Sequence, residues 1–93
     1  MYNRILQRMR ASVRAGQIVV PQHAFEEMNH DDLLQMDVEH CILTGEIVER
    51  QRDHYWQEWK YVIAGETWDG EAIEVVAKLG YQRSVVLITA YRI

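Results

Sequence analysis

The sequence predicts an α+β fold, with two or three N-terminal helices packed on a four-stranded antiparallel β-meander. Three observations predict it. Apolar residues recur at helical spacing as far as Thr44, and after Gly45 the period falls to two. Asp69-Gly70 then separates two alternating runs, the strongest short hairpin signal. Helices first and strands afterwards is the segregated order of an α+β domain.

Residues 2–15 read as a first helix, because Ile5, Leu6, Met9 and Val13 form one apolar stripe and Gly16 stands at the expected C′ position. Ile18-Val19-Val20 is a short β-branched run, a connector or an edge strand. Pro21 opens a second helix over about 22–30, with Ala24, Phe25 and Met28 on its buried side. Asp31 or Asp32 supplies a turn or N-cap. A third helix follows over about 36–44 through Val38, Cys41 and Ile42, and Gly45 ends it. Strands are expected over 46–52, 59–67, 71–79 and 84–92. Both faces of the last one are apolar, which places it inside the sheet.

The chain has 93 residues, 48% of them hydrophobic and 26% charged, which fits one domain spanning 1–93 and excludes a disordered chain. One cysteine excludes a disulfide framework or a cysteine-rich zinc site and fits a reducing compartment. No apolar run approaches the length of a membrane span, and residues 1–16 hold no signal-like stretch, so a cytoplasmic location is expected. The formal charge of −4 argues against a constitutive nucleic-acid binder. Its distribution is polarised, however. Arg4, Arg8, Arg10 and Arg14 precede the first acid, whereas Glu26, Glu27, Asp31, Asp32, Asp37 and Glu39 follow with no intervening Lys or Arg. The plainest expectation is two solvated faces that touch each other.

Several motifs in order carry a resemblance: His23-Ala24 followed by Met28, Gly45-Glu46-Ile47-Val48-Glu49-Arg50-Gln51-Arg52-Asp53, Lys60-Tyr61-Val62-Ile63-x-Gly65, Val75-Val76-x-Lys78-Leu79-Gly80 and Ile88-Thr89-x-Tyr91. Across residues 4–93 the chain resembles an uncharacterised bacterial and archaeal domain family of unknown function. Members of that family are often adjacent to zinc-finger antitoxins of the YgiT/MqsA type, and the family is similar to the RelE-like toxins. The resemblance implies a RelE-like fold, a toxin that cleaves mRNA without a metal or other cofactor, and an antitoxin-type protein encoded nearby.

Such a nuclease needs a group to take the 2′-hydroxyl proton, a group to protonate the 5′-oxygen and a cation for the phosphorane. His23 is the natural acid or base, the alternative being a structural role at its helix end. Lys60 and Lys78 are the catalytic cations, with Arg50 and Arg52 beside them for RNA. All four lie on three consecutive strands, where they could share one sheet face or instead pair with glutamates across the sheet. Tyr91 resembles the late tyrosine that RelE-like nucleases set near the scissile base, with Thr89 on its face for RNA contact. Its alternative is a strand aromatic covering the core.

The loop Asp53–Trp59 carries Tyr55, Trp56 and Trp59. They could stack on bases, bury against an antitoxin or a second subunit, or close the end of the core, and the loop's acids favour a protein partner. His23, Glu27, His30 and Asp31 could ligate a metal, but their spacing matches no zinc motif and no metal is expected. Cys41 reads as a small buried hydrophobe. Two functions follow. One is a toxin-like endoribonuclease, and the other is a non-catalytic protein-interaction module of the same fold, which the acidity favours.

Overall fold

Helix α1 (Asn3–Arg14) buries Leu6, Met9, Ser12 and Val13 along one stripe. It stops because Gly16 adopts a left-handed φ of 72°, while the Gly16 and Gln17 N–H groups donate back to the carbonyls of Val13 and Ser12 at 3.0 and 2.8 Å. Helix α2 (Gln22–His30) turns Ala24 and Met28 inward, leaving Phe25 half exposed. Helix α3 (Gln35–Thr44) buries Val38, Cys41 and Ile42. Its N-terminus is capped from within, the Leu34 N–H donating to Asp37 Oδ2 at 3.1 Å, so neither Asp31 nor Asp32 is the cap. This computed structural model describes all residues, 1–93.

Five strands form one sheet in the order β1-β5-β4-β3-β2. Strands β2 (Glu46–Asp53), β3 (Glu58–Glu66), β4 (Ala72–Leu79) and β5 (Val85–Arg92) pair antiparallel in chain order. Strand β1 (Ile18–Val19) adds to the far side of β5 in parallel, Ile18 opposite Val85 and Val19 opposite Val86. The class is therefore α+β as expected, but the sheet is mixed and five-stranded rather than a four-stranded meander. This addition gives β5 a neighbour on both sides at its first residues, the interior position in the sheet expected for it.

One face of the sheet holds Tyr61, Ile63, Ile73, Val75, Ala77, Val85, Leu87 and Ala90, all buried in one cluster with Met9, Val13, Ala24, Met28, Leu33, Val38 and Ile42 of the helical layer. A register shift opposite Val76 and Ala77 leaves Ile88 as the extra residue and keeps Leu87 and Ala90 on the same side. Close approach of α3 to β3 requires glycine at both contact points. A Cβ on Gly45 would lie 2.4 Å from the Ala64 carbonyl oxygen, and one on Gly65 would lie 2.9 Å from Cys41 Sγ. Basic α1 and acidic α3 do meet, but not through carboxylates. Arg10 donates from Nε to the Ile42 carbonyl at 3.0 Å and from Nη2 to the Gly45 carbonyl at 2.7 Å, satisfying the open end of α3. No helix is long and apolar enough to cross a membrane.

Candidate functional site

Strand parity sorts the four candidate cations onto two faces. The β2–β3 register sets Gln51 opposite Lys60, Arg50 opposite Tyr61 and Arg52 opposite Trp59. Directly opposed residues share a face, so Arg50 and Arg52 lie on the side of the buried Tyr61 while Lys60 lies on the other. Lys78 pairs with Val86 on that second, polar face, one step beyond the Tyr61–Ala77 pair and therefore beside Lys60. The expectation that all four share one face is corrected accordingly.

Lys60 and Lys78 floor a cleft of about 220 Å³. His23 and Pro21, where β1 passes into α2, form one wall, and Asp53, Trp56 and Glu58 of the β2–β3 turn form the other. No side chain caps the N-terminus of α2, and His23 stands exposed at its second residue. Lys78 Nζ donates to Glu58 Oε2 at 3.1 Å, a partly exposed pair that contributes only about 0–1 kcal/mol. Lys60 makes no ion pair, since the two in the molecule are Lys78–Glu58 and Arg92–Glu71. The cleft thus offers one committed cation, one free cation and one imidazole.

The β2–β3 connection is tighter than the seven-residue loop expected. Asp53 and Glu58 still pair across the ladder, leaving residues 54–57 as the turn. Asp53 Oδ1 accepts the N–H groups of Tyr55 at 3.0 Å and Trp56 at 3.1 Å. The Trp56 amide is the main reason the Asp53 carboxyl is held below its ordinary range. Desolvation opposes that shift, while the Tyr55 amide, Lys60 and Lys78 reinforce it. Tyr55 is 83% exposed and Trp56 66%, their rings edge to face at 4.8 Å. Trp59 is differently placed, with the guanidinium of Arg50 at 3.9 Å from its ring and that of Arg52 at 4.9 Å. Arg50 also lies 5.6 Å from the Tyr2 ring.

Tyr91 and Thr89 share the polar face but do not line the cleft. Tyr91 pairs with Glu74, four residues from Lys78 along β4, roughly 13 Å at strand spacing. Its hydroxyl donates to Glu74 Oε1 at 2.7 Å, and that bond, with burial and the charges of Glu74 and Glu49, raises its pKa. Thr89 Oγ1 donates to Glu27 Oε2. Burial, with a smaller push from Glu74, drives the Cys41 thiol up to about 12, so it is no nucleophile. His23, Glu27, His30 and Asp31 do not gather, and no group of three or more His, Cys, Asp or Glu side chains is arranged to hold a metal.

Of the seven catalytic and RNA-binding candidates, the structure brings His23, Lys60 and Lys78 together and sets Arg50, Arg52, Thr89 and Tyr91 apart. Sequence reasoning missed the acids that complete the arrangement. Asp53 carries a local signal, an aspartate ahead of a turn. Glu58 carries none, because its partner lies on another strand.

A family model described as a domain of unknown function (DUF4258) matches residues 21–92. The chain belongs to that family. The DUF4258 match begins at Pro21, so it contains the whole cleft but neither α1 nor β1. No curated protein and no solved structure matches the chain.

Proposed function

We propose that the chain is the toxin component of a toxin–antitoxin pair, a metal-independent mRNA endoribonuclease of the RelE-like kind acting in the cytoplasm. The observation that carries this reading is the cleft in which His23, Lys60 and Lys78 converge. His23 takes the 2′-hydroxyl proton and the 2′-oxygen attacks phosphorus. The P–O5′ bond breaks, and the departing 5′-oxygen takes a proton from the Lys60 ammonium. The products are a 2′,3′-cyclic phosphate and a 5′-hydroxyl. Lys78 offsets phosphorane charge from a position fixed by Glu58. Tyr91, kept a phenol by Glu74, serves a flanking nucleotide rather than proton transfer.

The test is cleavage of labelled single-stranded RNA by purified protein in EDTA, alongside growth on expression without the neighbouring gene. Wild type cleaves and arrests growth, and His23→Ala lowers cleavage by about 10²–10⁴-fold, the usual worth of a positioned acid or base. Intact RNA at high wild-type concentration, with unimpaired growth, overturns the reading.

One observation favours a second reading, a non-catalytic interaction module. Tyr55 and Trp56 stand exposed at the β2–β3 turn, where an antitoxin-type partner or a second copy could bury them. That reading predicts a stable complex lost on Trp56→Ala in a protein without nuclease activity.

A further inference from the structure

The cleft opens into a longer depression. It shares Glu58, Lys78 and Val86 with a neighbouring hollow of about 560 Å³ that reaches Gly80 and Tyr81. That hollow shares Leu79 with a third, about 510 Å³, lined by Arg8 and Ser12 of α1 and by Arg83. The path therefore runs from the polar sheet face, over the β4–β5 turn, to the flank of α1 that faces that turn. Its cations are Lys60, Lys78, Arg83 and Arg8. The two further hollows add no acid of their own, since Glu58, paired with Lys78, is shared with the cleft.

The turn in the middle of this path is built rather than slack. Gln82 and Arg83 hold left-handed φ values of 54° and 61°, which non-glycine residues keep only where neighbours fix them. The fixing groups come from α1 and the chain after it. Ser12 Oγ donates to the Arg83 carbonyl at 2.6 Å. The Gln17 carboxamide, with its nitrogen toward the turn, reaches the Gln82 carbonyl at 2.7 Å and the Arg83 carbonyl at 3.1 Å. The result is a held turn that presents Tyr81, 93% exposed, in the hollow that Lys78 lines, with Arg83 two residues on in the next hollow. An exposed aromatic ring on a held turn, with the unpaired Arg83 guanidinium close by in sequence, suits a base stacked beside a contacted phosphate.

We infer that this path is a lane for single-stranded RNA, in which Arg8 and Arg83 hold phosphates and Tyr81 stacks a base outside the cleft. The inference rests on the RNA-cleaving reading for its choice of polymer, and it adds α1, which lies outside the matched family region, to the substrate site.

The experiment measures anisotropy of a labelled 2′-O-methyl oligouridine of about 12 nucleotides, within the span of single-strand sites, which the protein binds but cannot cleave. Cleavage of the unmodified oligomer is followed in parallel. Tyr81→Ala is expected to weaken binding about tenfold, the scale of one lost base stack. Arg8→Glu combined with Arg83→Gln is expected to weaken it at least as much and to flatten the salt dependence by one to two phosphate contacts, about 0.7–1.4 in the log–log slope for a single strand. Trp68→Ala, at the far end of the sheet, leaves binding unchanged. Absence of wild-type binding, or wild-type affinity in both lane variants, overturns the lane. Cleavage with unaltered lane-variant affinity rejects the lane and keeps the nuclease. Binding that follows the lane variants without cleavage keeps the lane and rejects the nuclease.

Discussion

Arg50 and Arg52 on one face of the sheet and Lys60 and Lys78 on the other are neighbours on adjoining strands with opposite situations. The arginines lie over Trp59, and Arg50 also over Tyr2, so their charge is committed to aromatic rings beside the helical layer. The lysines line a cleft open to solvent, and only one of them has a carboxylate partner. Arginine's flat guanidinium suits ring stacking, whereas the lysine ammonium is a compact charge that can also give up a proton. The lesson is that cations one register position apart on neighbouring strands, Lys60 lying opposite Gln51 between Arg50 and Arg52, divide between holding the sheet and doing chemistry according to the face they are on.

Substitution on the two faces should separate activity from stability. Of the variants on the two faces, the largest effect is expected from Lys60→Ala, which should lower RNA cleavage by about 10²–10⁴-fold, the scale of a lost general acid. Its melting temperature should stay within a degree or two of wild type, because Lys60 makes no ion pair. Arg50→Ala should do the reverse. Losing its ring contacts should cost about 1 kcal/mol, a fall of roughly 5 °C for a domain of this size, with cleavage within about twofold of wild type. Equal loss of activity in both variants would dissolve the contrast.

A smaller effect tests the wall of the cleft. The folded Asp53 pKa lies below its unfolded value, so its contribution to stability is complete above the ordinary aspartate pKa of about 3.9. It is lost only as pH falls through the lower, folded value. The Tyr55 and Trp56 amide resonances should therefore hold their positions down to about pH 4 and move below it. Movement centred above that value would show that Asp53 does not anchor the turn.

Much of the fold was legible because it is local. The Leu6, Met9 and Val13 stripe, Gly16, the change of period at Gly45 and Asp69-Gly70 all act within a few residues. Gly70 indeed takes a left-handed φ of 84° in the β3–β4 turn. Strand β1 was only half legible, since two residues cannot show a period and its partner Val85 lies at the other end of the chain. The site was harder to read for a related reason. Alternation along β2 shows that Arg50 and Arg52 share a face, but which face Lys60 joins depends on the register that the 54–57 turn imposes. Likewise, nothing near Arg10 announces that it caps the carbonyl end of α3, and nothing near His23 announces Lys60 across the cleft.

The most direct measurement is an amide chemical-shift map of the protein titrated with the non-cleavable oligouridine. The account predicts perturbations at His23, Trp56, Lys60, Lys78, Tyr81 and Arg83, with Arg50, Trp68 and Asp69 still. Perturbations confined to the β3–β4 turn around Trp68, or none at all, would contradict it.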